Sequence, residues 1–177
     1  PVNTGARYTP GGSWTATTGT WGVSAERGYS VTDADAGLIT YDANVKDGIL
    51  SCIVRGTLNS GATYRSPALV FRLVEDYLGA IPSSRSYLIV RMLNAQLDLR
   101  QMLIGTETSL TTAGVTTTDG VDYHLDVIFE GIYVRVLIDG IEYITYRLDG
   151  PSLALLDGTR VGVRWDMGGV PTTAARI

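Results

Sequence analysis

The sequence has very few of the side chains from which metal and redox sites are built. Its 177 residues include one cysteine, Cys52, and one histidine, His124. A lone cysteine forms no internal disulfide, and zinc sites need several thiolate or imidazole ligands. Asp33 and Asp35 could offer oxygen ligands to calcium, but two carboxylates are too few to define such a site. We therefore assign neither a metal ion nor a cofactor from the sequence.

Long apolar runs and an excess of basic residues are also absent from the sequence. Aliphatic runs reach only a few residues, as at 68–71, whereas a membrane-spanning helix needs about 20. The 14 basic residues are outnumbered by 18 acidic ones, which gives a formal net charge of -4. Nucleic-acid binding depends on neutralising phosphates, for which an acidic protein is poorly suited. We expect no membrane insertion and no nucleic-acid partner.

The rest of the composition is typical of a folded domain. Hydrophobic residues make up 45% of the sequence and the mean hydropathy is +0.12, so a chain of this length can bury a substantial core. Residues 1–12 are rich in glycine and proline and predict an N-terminal arm or linker. Residues 13–177 are predicted to form a single domain. The chain opens at Pro1 without an apolar signal-like segment, which predicts a piece of a larger protein.

Two segments in the C-terminal half alternate apolar and other side chains with a period close to two. Residues 123–129 and 132–138 are both rich in β-branched and aromatic residues and predict strands. The dipeptide Asp139-Gly140 follows, and it tolerates positive φ at both positions. It predicts a two-residue type I′ hairpin that leads into a third strand at residues 142–146.

Further segments of the same kind are separated by turn residues, and they predict strands at 48–55, 68–74, 87–92, 97–104 and 159–165. No segment keeps a period of 3.6 for ten residues, so no longer helix is predicted. Only residues 151–156 suggest a helical turn. Many short strands form either a closed barrel or two packed sheets. Aliphatic side chains on both faces of some strands favour two packed sheets over a closed barrel. The sequence therefore predicts an all-β, two-sheet antiparallel β-sandwich.

Short motifs in these segments match one superfamily. Residues 123–127 read Y-H-L-D-V, residues 131–140 end in D-G, and residues 158–163 read G-T-R-V-G-V. Earlier in the chain, residues 70–72 read V-F-R, an aliphatic-aromatic-arginine string. Together these motifs resemble those of the concanavalin A-like, laminin-G-like jelly-roll modules, over roughly residues 49–165.

The resemblance implies two antiparallel sheets, with ligands bound on a concave face or by loops at one rim. The superfamily includes lectins, carbohydrate-binding modules, glucanases and domains of phage tail and fibre proteins. Its retaining glucanases carry an E-x-D-x-x-E string whose carboxylates, about 5 Å apart, act as nucleophile and acid/base. None of the glutamates in this sequence has that spacing. We therefore predict that the chain is not an enzyme.

Four polar side chains on predicted strands are candidate ligand-binding residues. His124 and Asp126 lie two residues apart on one strand and so share a face. Arg72 and Arg91 lie on two other strands that could supply the same sheet with guanidinium donors for hydroxyl groups. The alternative interpretations are a solvated polar face and arginines that pair with acids across the sheet.

Aromatic rings are the other common component of a sugar site, because they stack on the apolar face of the ring. Tyr64 and Tyr77 lie near predicted turns and are the candidates for this role. The tryptophans are expected to fill the core or its rim.

Two functions remain open. The preferred one is a noncatalytic recognition module that binds glycan or a cell-surface component, as part of a larger extracellular or virion protein such as a phage tail or fibre. The alternative is a structural module of a virion, which contacts neighbouring proteins or copies of itself as a homo-oligomer. A glycoside hydrolase is the least favoured function.

Overall fold

The structure is a computed structural model. It describes residues 15–18, 21–24, 27–30, 37–55, 65–74, 85–93, 95–118 and 121–167. The predicted arm at residues 1–12 and the candidate residues Tyr64 and Tyr77 lie outside the described residues. Helix in the described part is confined to one 3-10 turn, Gly150–Leu155, close to the helical turn that the sequence predicts. No helix among these residues is long and apolar enough to span a membrane.

The described strands are short and follow one another from residue 15 to residue 167. In chain order they are β1 (Thr15–Thr18), β2 (Trp21–Ser24), β3 (Arg27–Ser30), β4 (Gly37–Asp42), β5 (Gly48–Arg55), β6 (Arg65–Val74), β7 (Ser86–Leu93), β8 (Gln96–Leu103), β9 (Thr106–Gly114), β10 (Asp122–Glu130), β11 (Tyr133–Ile138), β12 (Ile141–Arg147) and β13 (Arg160–Met167).

These strands form two main sheets in which every described pairing is antiparallel. One sheet has seven strands in the order β1-β4-β13-β6-β7-β8-β9, and the other has four in the order β12-β11-β10-β5. Strands β2 and β3 pair with each other as a separate hairpin. The structure confirms the predicted all-β antiparallel sandwich.

The main core lies between the two sheets, where alternate residues of each strand point inward. Phe71 of β6 stacks on Phe129 of β10, with ring centroids 5.1 Å apart. Both rings belong to a buried cluster that includes Leu88 of the seven-stranded sheet and Leu125 of the four-stranded sheet. Such interdigitated apolar side chains are the main source of stability in a sandwich.

A second buried cluster lies on the opposite face of the seven-stranded sheet. Its residues come from β4, β6 and β7: Leu38, Ala68, Val70, Leu73, Tyr87 and Ile89. The centre of this sheet is therefore apolar on both faces. We call the face away from the four-stranded sheet its outer face.

The sequence predicts most of the central strands and misses β9 and the strands from β1 to β4. Strand β5 covers the predicted residues 48–55, and the ends of β10 to β12 differ from the prediction by at most one residue. Strand β9 was not predicted, because its sequence T-E-T-S-L-T-T-A-G contains mostly polar side chains. It lies at the edge of its sheet, where few side chains have to be apolar.

The Asp139-Gly140 turn has the predicted geometry, with φ of +50° and +79° at its two residues. We expect Gly140→Val to destabilise the protein by about 1 kcal/mol or more, because a β-branched residue is strained at positive φ. A Cβ at this position would have open space around it, so the effect isolates the backbone conformation. Chemical denaturation measures it. Gly114→Val, where space is also open but φ is not positive, should cost less, and equal costs would contradict this account.

Candidate functional site

The outer face of the seven-stranded sheet carries a group of charged side chains beside its buried apolar cluster. We call this group the arginine–carboxylate cluster. The register places its members on the outer face, because Ala68 of the apolar cluster is the Cα partner of both Arg164 and Arg91. The members are Arg91, Asp98, Arg100, Glu107 and Arg164.

Glu107 is the centre of the cluster, because its carboxylate contacts all three guanidinium groups. Its Oε1 atom accepts from Arg91 Nη2 and lies 2.6 Å from Arg100 Nε. Its Oε2 atom accepts from Arg164 Nη1 at 3.3 Å. One carboxylate on an edge strand thus holds arginines from three other strands in fixed positions.

Asp98 holds the opposite side of Arg100. Its Oδ2 atom accepts from Arg100 Nη1 at 2.8 Å, and its Oδ1 atom accepts from Ser109 Oγ at 2.7 Å. The Asp98 side chain is only 3% exposed, so its charge depends on these partners within the protein for compensation.

Arg164 reaches the cluster across strand β6. The residue between Arg164 and Arg91 is Ala68, whose small side chain leaves room for the long arginine side chain to lie along the sheet. Arg164 Nη1 also donates to Tyr87 Oη at 2.7 Å, and the guanidinium carbon lies 5.9 Å from the centre of the Tyr87 ring. The arginine is therefore held by a carboxylate and an aromatic ring together.

The cluster is partly buried and carries an excess of positive charge. The side chains of Arg91, Arg100 and Arg164 are 13–25% exposed, and Glu107 is 17% exposed. Three arginines against two carboxylates leave one net positive charge, in a protein whose formal net charge is -4. Each of the three arginines and Tyr87 makes at least one further interaction besides those above. The cluster is a rigid polar surface with both donors and acceptors.

Arg72 does not lie in this cluster. Its side chain is 1% exposed, donates to Asp47 Oδ1 at 2.9 Å and to the Lys46 carbonyl at 3.3 Å, and lies over the Phe129 ring. A register shift follows Phe71, and Arg72 has φ of +52°, so the alternation is broken here and the side chain turns inward. Burial lowers the pKa of the Arg72 guanidinium, and Asp47 offsets part of this effect.

Arg91 is the one arginine of the predicted pair that lies in the cluster. It pairs with Glu107 of β9, which agrees with the alternative that the arginines pair with acids across the sheet. The two interpretations are compatible, because an ion pair with a carboxylate also fixes the position of a guanidinium group.

His124 and Asp126 share a face, as the alternation predicts, but they lie on the four-stranded sheet. His124 Nδ1 is 3.6 Å from Asp126 Oδ2, and Ser51 Oγ donates to Asp126 Oδ1 at 2.5 Å. The sequence suggested that Arg72 and Arg91 could share a sheet with His124 and Asp126. The structure does not gather these four residues on one face. Alternation assigns residues to a face, but it does not say which strands share a sheet.

Sequence reasoning did not name four members of the cluster as candidate site residues: Asp98, Arg100, Glu107 and Arg164. The string Q-L-D-L-R at residues 96–100 indicates that Asp98 and Arg100 share one face of a strand, because they alternate with two leucines. Glu107 could not be placed, because β9 was not predicted as a strand. Within the described ranges, no group of three or more His, Cys, Asp or Glu side chains could hold a metal ion.

No protein-family model matches the sequence, and no curated protein matches it significantly. Solved structures do match the fold. The carbohydrate-binding module CBM66 from Bacillus subtilis has 17% identity and a TM-score of 0.62, over 87% of this chain and 88% of that one. A Bacillus subtilis protein of unknown function with a galectin-like fold has 13% identity and a TM-score of 0.58, over 86% and 82% of the two chains.

A carbohydrate esterase from the Shiga toxin-encoding bacteriophage phi24B is also similar, with 13% identity and a TM-score of 0.53 over 85% of this chain and 81% of that one. Identities this low show the fold alone. The chain has the concanavalin A/galectin-like jelly-roll fold, as the resemblance in its sequence implied.

Proposed function

We propose that this chain is a noncatalytic recognition module that binds glycan through the arginine–carboxylate cluster. The observation that carries the proposal is the position of Glu107, which holds three guanidinium groups on the outer face of one sheet. The groups lie on β13, β7, β8 and β9 of one continuous antiparallel sheet and are paired with one another, so they are fixed before a ligand arrives.

The chemistry of the cluster suits a ligand with many hydroxyl groups. Guanidinium forks donate to pairs of oxygens, and carboxylate oxygens accept from hydroxyls, so a sugar can find both partners on one surface. Hydrogen bonds to charged groups contribute about 1.5 to 3 kcal/mol each, which is enough for specific recognition by a few contacts. The net positive charge further favours a glycan that carries a carboxylate or another anionic group.

The comparisons support a carbohydrate ligand. One structural neighbour is named a carbohydrate-binding module and another a carbohydrate esterase of a bacteriophage. We infer that the parent of this chain is an extracellular or virion protein in which the module attaches to a surface glycan. Some neighbours are enzymes by name, including a transglycosylase.

We also propose that the chain is not an enzyme, because the two carboxylates of the cluster are paired with arginines. Asp98 and Glu107 are both committed to arginines. A glycosidase needs one carboxylate to attack or activate water and a second one to protonate the leaving oxygen. The sequence has one histidine and one cysteine, which leaves few residues for other nucleophilic mechanisms.

A glycan array followed by titration calorimetry tests the proposal. We expect Glu107→Gln to weaken the affinity for the selected glycan about 10-fold, because the three arginines lose the charge that orients them. Glu142→Gln is the matched control. Glu142 is bonded to Arg135 and Thr145 on the other sheet, where these hydrogen bonds lower its pKa, so both variants remove a negative charge.

Three results would contradict the proposal. If no glycan on the array binds the parent protein, the structural-module function replaces it. If Glu107→Gln binds as well as Glu142→Gln, the site lies elsewhere. If His124→Ala alone weakens binding, the outer face of the four-stranded sheet holds the site.

A further inference from the structure

The turn between β8 and β9 has an unusual residue at its first position. Strand β8 ends at Leu103 and β9 begins at Thr106, so Ile104 and Gly105 form a two-residue turn. Their φ angles are +48° and +76°. Turns with two positive φ angles favour asparagine, aspartate or glycine at the first position. Among the described residues, Ile104 is the only β-branched residue with a positive φ, and this conformation strains its backbone.

The same chain contains a turn of this kind with a favoured residue. Asp139-Gly140 joins β11 to β12 and has φ angles of +50° and +79°. Aspartate tolerates positive φ, and the Asp139 side chain also accepts a hydrogen bond from the His124 N–H at 2.8 Å. The isoleucine in the β8–β9 turn is therefore not required by the geometry of the turn.

Packing does not require an isoleucine at this position either. Ile104 is 46% exposed and belongs to neither of the two buried clusters in the described part of the chain. The turn is held through its backbone, because the Ile104 N–H donates to the Oγ atom of the buried Ser86 at 3.1 Å. This hydrogen bond does not involve the isoleucine side chain. A strained residue with a largely exposed apolar side chain is typical of functional positions.

Ile104 lies beside the arginine–carboxylate cluster. Met102 is the Cα partner of Glu107, and Ile104 follows Met102 by two residues, which is about 7 Å of extended backbone. Glu107 is the third residue after Ile104 on the returning strand. A glycan that is bound at Glu107 and extends toward the end of the hairpin therefore reaches Ile104.

We propose that Ile104 is a specificity residue of the glycan site and binds a methyl group of the ligand, as in an acetamido or a 6-deoxy sugar. This inference rests on the proposed function of the cluster. An isoleucine side chain has no polar atom and no aromatic face, so it neither bonds to hydroxyl groups nor stacks on a sugar ring as an aromatic side chain does. A methyl group is the part of a sugar that it buries with a gain, and one buried methyl corresponds to about 4-fold in affinity.

Ile104→Asn tests both the strain and the contact. Asparagine is favoured at positive φ, so we expect the melting temperature to rise by about 2 to 4 °C. Titration calorimetry measures the contact with two matched pairs of oligosaccharides, which end in N-acetylglucosamine or glucose and in L-fucose or L-galactose. The native chain should bind the methyl-bearing member of at least one pair about 4-fold more tightly, and Ile104→Asn should lose this preference. The pair that shows the preference identifies the methyl group.

Two variants are matched controls. Ile104→Leu keeps an apolar side chain at the turn and should keep the preference. Ile141→Asn removes an isoleucine that is 61% exposed and follows the Asp139-Gly140 turn of the other sheet. It should leave the preference unchanged and should not raise the melting temperature, because asparagine is disfavoured in a strand.

The inference is overturned if the native chain prefers neither methyl-bearing sugar, if Ile104→Asn keeps the preference, or if Ile104→Asn does not melt above the native chain. Glu107→Gln distinguishes this failure from a failure of the proposed function. If Glu107→Gln weakens binding but Ile104→Asn keeps the preference, the cluster is the site and only the role of Ile104 is wrong. If Glu107→Gln binds as well as the native chain, the proposed function fails and this inference fails with it.

Discussion

Gly162→Ala is expected to destabilise the protein by about 3 kcal/mol or more, at the upper end of the cost of inserting a methyl group into a packed interior. Gly162 lies in the middle of β13, between β4 and β6. A Cβ at this position would lie 2.3 Å from the Ile39 carbonyl oxygen and 3.1 Å from the Thr40 Cα atom. Both contacts are with backbone atoms of the neighbouring strand, so a side-chain movement cannot relieve them. Urea denaturation followed by circular dichroism measures the effect.

Gly114→Ala is the matched control, because a Cβ at Gly114 would meet nothing within 4 Å. It lies at the end of an edge strand, and its replacement should change the free energy of unfolding by less than about 0.5 kcal/mol. If Gly162→Ala were as stable as Gly114→Ala, the close pairing of β13 with β4 would be incorrect.

Asp47→Ala is expected to cost about 2 to 3 kcal/mol, below the range for a fully buried pair because Asp47 is half exposed. The substitution leaves the buried guanidinium of Arg72 without its carboxylate. It also removes the acceptor of the Gly131 N–H, which donates to the same Asp47 oxygen at 2.9 Å. The free energy of unfolding, measured by chemical denaturation, reports the loss.

Asp157→Ala removes a carboxylate of the same type from an exposed pair. Lys46 and Asp157 have side chains that are 58% and 85% exposed, and surface pairs of this kind contribute about 0 to 1 kcal/mol. Equal effects of the two substitutions would show that Arg72 is solvated. Adding Arg72→Met to Asp47→Ala should recover part of the lost stability, because the uncompensated charge is then removed.

The fold was largely predictable because its central strands obey local rules. The alternation at β10 and β11 and the Asp139-Gly140 turn depend only on nearby residues, and each is found in the structure as predicted. Which strands pair to form each sheet depends on contacts between residues that are distant in sequence. For that reason the pattern placed His124 and Asp126 on one face, but it could not show that Arg91 lies on the other sheet.

The candidate site was predictable only in part, for two physical reasons. Arg72 lies where β6 departs from regular alternation, so a period of two gives the wrong direction for its side chain. Glu107 lies on an edge strand that contains few apolar residues, so no hydrophobic pattern marks the strand. The residue that organises the cluster therefore has the weakest sequence signal.

An NMR titration of the protein with the glycan that binds best on the array tests the proposed site most directly. We predict that the largest amide shifts occur on β7, β8, β9 and β13, around Arg91, Arg100, Glu107 and Arg164, and that they are lost in Glu107→Gln. Shifts concentrated around Ser51, His124 and Asp126 of the four-stranded sheet, or no shifts at all, would contradict the account.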